Sequence, residues 1–204
     1  MADNYTILRK GFRIMNRFFM VPAFRLGLGP ILGSPYGGYI MVIKTQGHRT
    51  GKLRYTPVNY AIANDCVYCT AGFGKISHWF KNISSQPKVE LLLPARSIST
   101  TAEVVEIAEE KRDAMRRVMI NSGFAAFVFG GFNPYRISEE KLNELTKDYI
   151  VLRFRCPGLV AGPFDPGGWL WILPTAALIA LILWFVLLKI LLRILHIPQI
   201  FLQF

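Results

Sequence analysis

Trp169 to Leu188 is a run of twenty residues without a charge, and Thr175 is its only hydroxyl. A helix of that length spans roughly 30 Å, about one hydrocarbon core. Trp169 and Trp171 stand at its start, where amphipathic rings favour the membrane–water interface. Pro174 falls in the first turns, where its missing donor costs least. Lys189 and Arg193 follow on stems long enough to reach back to water. A chain of 204 residues has no core deep enough to surround such a helix on every side. The run therefore predicts one transmembrane helix over 169–195, followed by an apolar tail, 196–204. Lys147, Arg153 and Arg155 before the helix outnumber the two basic residues just after it, a slight positive-inside bias. The expected location is the cell membrane, single-pass, with the folded domain on the cytoplasmic side. Cys66, Cys69 and Cys156 are too few and too irregular for a disulfide scaffold and suit a reducing compartment. No cleavable signal peptide is read at the start, where Arg9, Lys10, Arg13 and Arg17 interrupt the apolar stretch.

The formal charge of +11 is concentrated at one end. Residues 1–60 hold nine basic side chains and one acid, whereas 61–150 hold eleven of each. Such an end attracts lipid headgroups, a phosphorylated ligand or nucleic acid. No nucleic-acid module and no aromatic platforms between basic residues accompany it, so nucleic acid is not expected as a partner. Residues 5–20 read as an amphipathic helix, with Leu8, Phe12, Met15 and Phe19 on one side and Arg9, Arg13 and Arg17 on another. That helix either lies in a membrane surface or packs on the domain. Gly27, Gly29, Gly33, Gly37 and Gly38, with Pro30 and Pro35, predict a loop after it.

Between the two ends the pattern is mostly that of strands. Tyr39–Thr45 and Tyr55–Ile62 flank a turn at Gly47–Lys52. Asn64-Asp65 predicts a tight hairpin into Cys66–Thr70. Val89–Leu93, Thr100–Ile107 and Tyr149–Phe154 are further strands. Ser77–Ser84 reads as a helix capped by Ser77, with Trp79, Phe80 and Ile83 inward. Glu109–Asn121 reads as another, with Met115, Val118 and Met119 inward. About six strands with short turns and two inserted helices predict a mainly β fold with helices (α+β), a small antiparallel barrel. No Gly-rich loop leads the first strand into a helix, which argues against a doubly wound sheet. The expected organisation is 1–38 for the basic helix and loop, 39–156 for the barrel domain and 157–168 for a linker.

The loop Gly47–Arg54 carries Arg49, Lys52, Arg54 and Thr50 around two glycines, a composition suited to phosphate through backbone N–H groups and Arg forks. It lacks the spacing of a nucleotide phosphate loop. A second loop, Ala71-Gly72-Phe73-Gly74-Lys75, joins a strand to a helix and offers close backbone approach and free N–H groups. Together the two loops favour a phosphorylated, planar ligand. No metal is expected: Cys66 and Cys69 lack a second pair and alternate across a strand. His48, His78 and His196 are scattered, and no nucleophile–base arrangement is present. Glu103, Glu106, Glu109, Glu110 and Asp113 read as a solvated face. The chemistry is then expected to belong to a cofactor.

The segment Ile43-Lys44-Thr45-Gln46-Gly47-His48-Arg49-Thr50-Gly51-Lys52-Leu53-Arg54-Tyr55-Thr56-Pro57 carries a recognisable pattern, as does Trp79-Phe80-Lys81-Asn82-Ile83 followed by Gln86-Pro87-Lys88-Val89. Residues 39–93 resemble the deazaflavin (F420)-dependent nitroreductase and quinone reductase family. That family shows a strand, then Thr-x-Gly-Arg-Lys/Arg-Ser/Thr-Gly, an Arg and x-Thr-Pro, and later Trp-x-x-Asn-Leu with Asn-Pro-x-Val. The resemblance implies an FMN-binding-like split β-barrel over about residues 5–155, binding coenzyme F420. It implies that Arg49 and Arg54 hold the coenzyme's phosphate-bearing tail, supported by Thr50, Gly51 and Lys52. Thr56 and Pro57 would wall the ring; Gly72, Gly74 and Lys75 would approach it; Trp79 and Asn82 would brace the following helix. His48 stands where the family more often has Arg, and the loop from Ala71 to Trp79 is short. Phe124, Phe127 and Phe129 stand in the region where one branch places substrate-side tyrosines and are expected to form an apolar substrate wall.

The implied activity is hydride transfer from the reduced deazaflavin to a quinone or nitro-type acceptor, with Tyr60 as a candidate proton donor. Membrane lipid and a hydrophobic acceptor such as menaquinone are the expected partners, and a homodimer or other homo-oligomer is compatible with the fold. FMN or heme on the same barrel is the alternative ligand, and a non-catalytic F420-binding module the alternative role.

Overall fold

A computed structural model describes residues 11, 14–72, 74–94, 96–130, 133–159 and 169–194. Six strands form a closed barrel: β1 (Ile40–Gln46), β2 (Leu53–Ala63), β3 (Cys66–Ala71), β4 (Lys88–Leu93), β5 (Arg96–Val104) and β6 (Ile150–Arg155). Their order around the barrel is β1-β2-β3-β6-β5-β4, and every ladder is antiparallel. Closure removes the exposed edges that six short strands would otherwise present. The hairpin at Asn64-Asp65 forms as expected. Both residues have positive φ, 50° and 56°, the signature of a turn whose twist matches the flanking strands.

Alternation along the strands divides the buried residues between two cores. Val67 and Cys69 on β3 point into the barrel with Met41, Ile43, Tyr60, Leu91, Leu152 and Phe154. Cys66 and Tyr68 point outward against Ala114, Met115, Val118 and Met119 of a helix at Ala108–Asn121. The two cysteines therefore lie on opposite faces, and all three are buried free thiols. Burial pushes the Cys69 thiol well above its ordinary range. No cluster among the described residues could hold a metal ion.

The helices are α1 (Val21–Arg25), α2 (Gly29–Leu32), α3 (His78–Ser85), α4 (Ala108–Asn121), α5 (Phe124–Gly130), α6 (Glu139–Asp148) and α7 (Ile172–Ile194), with a π-type turn, Asn16–Met20, leading into α1. Several differ from expectation. Residues 26–38 are not a plain loop, because Pro30 in the first turn of α2 suits a helix start. The fifth strand begins at Arg96 rather than Thr100, since Leu93 pairs directly with Arg96 across a tight turn. It ends at Val104 rather than Ile107. Ser77 precedes α3, but its hydroxyl donates to the Gly74 carbonyl and caps nothing. Of the helix expected over 5–20, Leu8, Arg9, Phe12 and Arg13 lie outside the described residues, as do 160–168 of the linker and the tail.

Glu103 and Glu110 are not a solvated face. Arg153 on β6 reaches Glu103 on β5 at 2.6 Å and Glu110 on α4 at 2.8 Å, and Tyr68 donates to Glu110 at 2.9 Å. The Arg155 and Arg153 guanidinium groups hold the Glu103 carboxyl below its usual range. This network ties α4 to the barrel across three strands, β3, β5 and β6. Helix α7 contains a span of 22 residues, Ile172–Arg193, with mean hydropathy 2.6 and none of it buried in the protein. A helix so apolar and so uncovered is long enough to cross a membrane, and it is the one such span among the described residues, which supports a single-pass membrane protein.

Candidate cofactor site

The turn between β1 and β2 is built by its own backbone. Gly47 N–H donates to the Lys52 carbonyl at 2.9 Å, while Thr50 and Gly51 N–H both donate to the Gly47 carbonyl, at 3.2 and 2.8 Å. His48 N–H donates to Asn82 Oδ1 at 3.1 Å. Four of the loop's backbone N–H groups are thus committed within the loop or to α3, and the side chains of Arg49 and Arg54 remain for an anion. Gly51 closes the turn with φ +64°, a conformation that costs an L-residue roughly 1–2 kcal/mol. Gly51→Ala should lower unfolding free energy by about that amount, read from denaturant titration. No wider clash adds to it, as only the Gln46 side chain, at 3.6 Å, would meet the new methyl.

Asn82 fixes this loop from below. It is buried, donates to Thr45 Oγ1 at 3.4 Å and accepts from His48 through Oδ1. His48 Nδ1 lies 2.7 Å from the same oxygen, a second contact between the loop and α3. Gly47 has no side chain where Thr50 Oγ1 and Arg54 Nε fold over it; a Cβ there would meet them at 3.0 and 3.6 Å.

A cavity of about 740 Å³ opens against this loop. His48, Arg49 and Thr50 come from the turn, Arg54, Tyr55, Thr56 and Pro57 from β2, His78, Trp79 and Asn82 from α3, and Asn16, Arg17 and Val21 from the N-terminal helical segment. Its polar groups are cationic or neutral, with no carboxylate among the lining residues. Three guanidinium groups against one apolar aromatic wall suit a flat ligand with an anionic tail. A second groove of about 480 Å³, around the Lys44–Glu90 ion pair (2.6 Å), shares only Leu53 with it.

The cavity gathers Arg49, Thr50, Arg54, Thr56, Pro57, Trp79 and Asn82, all anticipated from the sequence. It does not gather the others. Gly51 and Lys52 sit beyond it in the turn, with Lys52 exposed. Gly72 packs on Tyr149, where a Cβ would lie 3.0 Å from the ring. Gly74 and Lys75 belong to a short 3₁₀ turn, Gly74–Ile76, ahead of α3, and the Lys75 side chain lies outside the described residues. Tyr60 is fully buried inside the barrel. Phe124 and Phe127 on α5 are 55% and 45% exposed and do not line the cavity, and the Phe129 side chain lies outside the described residues. Sequence reasoning missed Asn16, Arg17, Val21, Tyr55, His48 and His78. His48 and His78 stand inside or beside the two motif segments, which was a usable signal; Arg17 was hidden in a basic helix face.

A family model described as F420H(2)-dependent quinone reductase matches residues 23–126, slightly more than half of the chain. The chain belongs to this family. It is accordingly an oxidoreductase of an F420-linked family, and the match ends before α7, so the membrane helix stands outside the matched region. Solved structures of similar fold include an F420-H2 dependent reductase, at 20% identity, 56% of this chain, 92% of that chain and TM-score 0.37. A 5-nitroimidazole antibiotic resistance protein from Bacteroides thetaiotaomicron gives 14%, 59%, 74% and 0.43. The heme storage protein from Vibrio cholerae gives 12%, 59%, 82% and 0.39. None of the three reaches a TM-score of 0.5, and the assignment rests on the family match. No curated protein matches the chain.

Proposed function

We propose that the cavity beside the Gly47–Arg54 loop binds the reduced deazaflavin coenzyme F420, and that the protein passes its hydride to a quinone or nitro-type acceptor at the cytoplasmic face of the membrane. The observation that carries this reading is convergence. Residues from two motif segments, Arg49 to Pro57 and Trp79 to Asn82, meet around one cavity that holds guanidinium groups and no carboxylate. When bound, the coenzyme supplies a hydride and a planar ring.

The chain's residues do the rest. Arg49 and Arg54 hold the anionic tail, with Thr50 adding a hydroxyl and Arg17 a third charge from the opposite lip. Lys52 adds longer-range attraction from outside the cavity, and Gly51 keeps the turn closed. Thr56, Pro57 and Trp79 flank the ring and exclude water. Asn82 keeps the loop in register by holding His48. Gly72, Gly74 and Lys75 set how α3 approaches. The proton that completes acceptor reduction comes from water or from an imidazole at the wall, His48 or His78, both closer to the cavity than the interior Tyr60. A membrane quinone such as menaquinone is the favoured acceptor, because α7 keeps the domain where such molecules concentrate.

The test is anaerobic oxidation of reduced F420 by the full-length protein in proteoliposomes, with a menaquinone analogue and a soluble nitroaromatic supplied separately. Turnover above the protein-free rate with the quinone is the expected result. Tight F420 binding with no oxidation by either acceptor would replace the reductase with a binding module, and binding of FMN or heme in preference to F420 would overturn the cofactor.

A further inference from the structure

We infer that the face formed by residues 26–36 and the start of α5 lies in the headgroup layer of the bilayer that α7 crosses, and that it docks the barrel on anionic lipid. The inference needs the membrane helix but not the coenzyme reading. Leu26 (76% exposed), Ile31 (49%), Tyr36 (72%), Phe124 (55%) and Phe127 (45%) are large apolar side chains left uncovered. One exposed leucine needs no explanation; a contiguous group does.

Tyr36 and Phe124 are joined by the backbone. Phe124 N–H donates to the Tyr36 carbonyl at 2.7 Å. Gly123, with φ +56°, lets the chain pass so closely that a Cβ there would sit 2.4 Å from that same carbonyl. The Tyr36 ring in turn meets the edge of the Trp171 ring, with centroids 5.7 Å apart and planes at 85°. Trp171 immediately precedes α7, so it marks the interface depth at which the helix enters lipid. A residue in ring contact with it is at the same depth, and the patch continues from there.

Charge fits the same occupant. Residues 14–38 contain Arg17 and Arg25 and no acid. Basic side chains near an anionic surface are drawn to it. Toward the cavity the apolar surface extends through Phe18 and Phe19, 70% and 56% exposed, whereas Met20 and Ala23 are the residues turned to the barrel. The side of the N-terminal helix that includes Met15 and Phe19 is thus the uncovered one. The lip of the cavity at Asn16, Arg17 and Val21 belongs to this segment and so opens beside the lipid surface.

The test places single cysteines in the full-length protein at Leu26→Cys, Ile31→Cys and Phe124→Cys, with Arg112→Cys as the control. Arg112 is exposed near the other end of α4, roughly 14 Å along the helix from Asn121. Each is labelled with an environment-sensitive dye; the native cysteines are buried. The proteins are reconstituted in phosphatidylglycerol–phosphatidylcholine vesicles with and without brominated acyl chains. The three patch labels should lose most of their fluorescence to the bromines, and the Arg112 label should lose little. Equal quenching at all four positions, or none at the patch, would overturn the docking face. So would patch labels that are shielded yet unquenched and that cross-link between chains, which would make the occupant a second copy. Because no coenzyme or acceptor is present, failure here leaves the reductase reading untouched.

Discussion

Arg54→Ala and Arg49→Ala should each weaken F420 binding by about tenfold or more, and the double variant by about a hundredfold. A hydrogen bond to a charged group contributes roughly 1.5–3 kcal/mol when its partner is desolvated, and 1.4 kcal/mol is tenfold. Both guanidinium groups line the cavity and neither makes an ion pair among the described residues, so the protein does not need them to fold. Melting temperature should therefore stay close to wild type while affinity falls, a separation that Arg153, held between two carboxylates, would not give. The difference in affinity between wild type and variants should narrow as salt rises, since screening weakens the attraction the variants have already lost. Fluorescence titration of the oxidised coenzyme at two salt concentrations measures both effects. Unchanged affinity in the double variant would remove the tail from this loop and make Arg17 and Lys75 the next groups to test.

What could be read from the sequence was local. The Asn64-Asp65 hairpin, the strands on either side of Gly47–Lys52 and the apolar run of α7 each carry their signal within a few residues of themselves. The motif residues of the cavity were legible for the same reason, since the turn and the start of α3 are short segments with fixed internal spacing. What brings those segments together is not local. Barrel closure by β1–β4 and β3–β6 pairing sets where α3 sits, and no residue in either ladder announces its partner. Hence neither the packing of Gly72 on Tyr149 nor the approach of His78 to the cavity was legible from the second loop and its helix alone. The phenylalanines of α5 were assigned to a substrate wall from the family resemblance; the turn at Gly123 sets Phe124 beside Tyr36, which no local signal announces. Helix α6 went unread although Ser138 Oγ accepts from Lys141 N–H and Glu139 and Glu140 follow, a complete start signal in a segment taken as a connection.

Removing α7 should convert an integral membrane protein into one held only at the surface. On an insertion scale of about −0.3 to −0.6 kcal/mol for each Leu, Ile, Phe or Val, the eleven such residues from Ile172 to Leu188 supply roughly 3–7 kcal/mol. That term is independent of salt. The docking face offers a few apolar side chains, with Arg17 and Arg25 in the segment just before it, and the electrostatic part is screened within a Debye length, about 10 Å at 0.1 M. The helix therefore decides retention, and the face decides orientation. Full-length protein should remain in the membrane pellet through a high-salt wash and leave only with detergent. A chain ending near Pro166 should sediment with anionic vesicles at low salt, come off at high salt, and keep the F420 affinity of the full-length protein, because every residue lining the cavity precedes Lys88. Recovery of the full-length protein in the salt-washed soluble fraction would refute the anchor. Salt-resistant sedimentation of the shortened chain would instead assign the stronger attachment to residues 14–36, and reverse the ranking of the two terms.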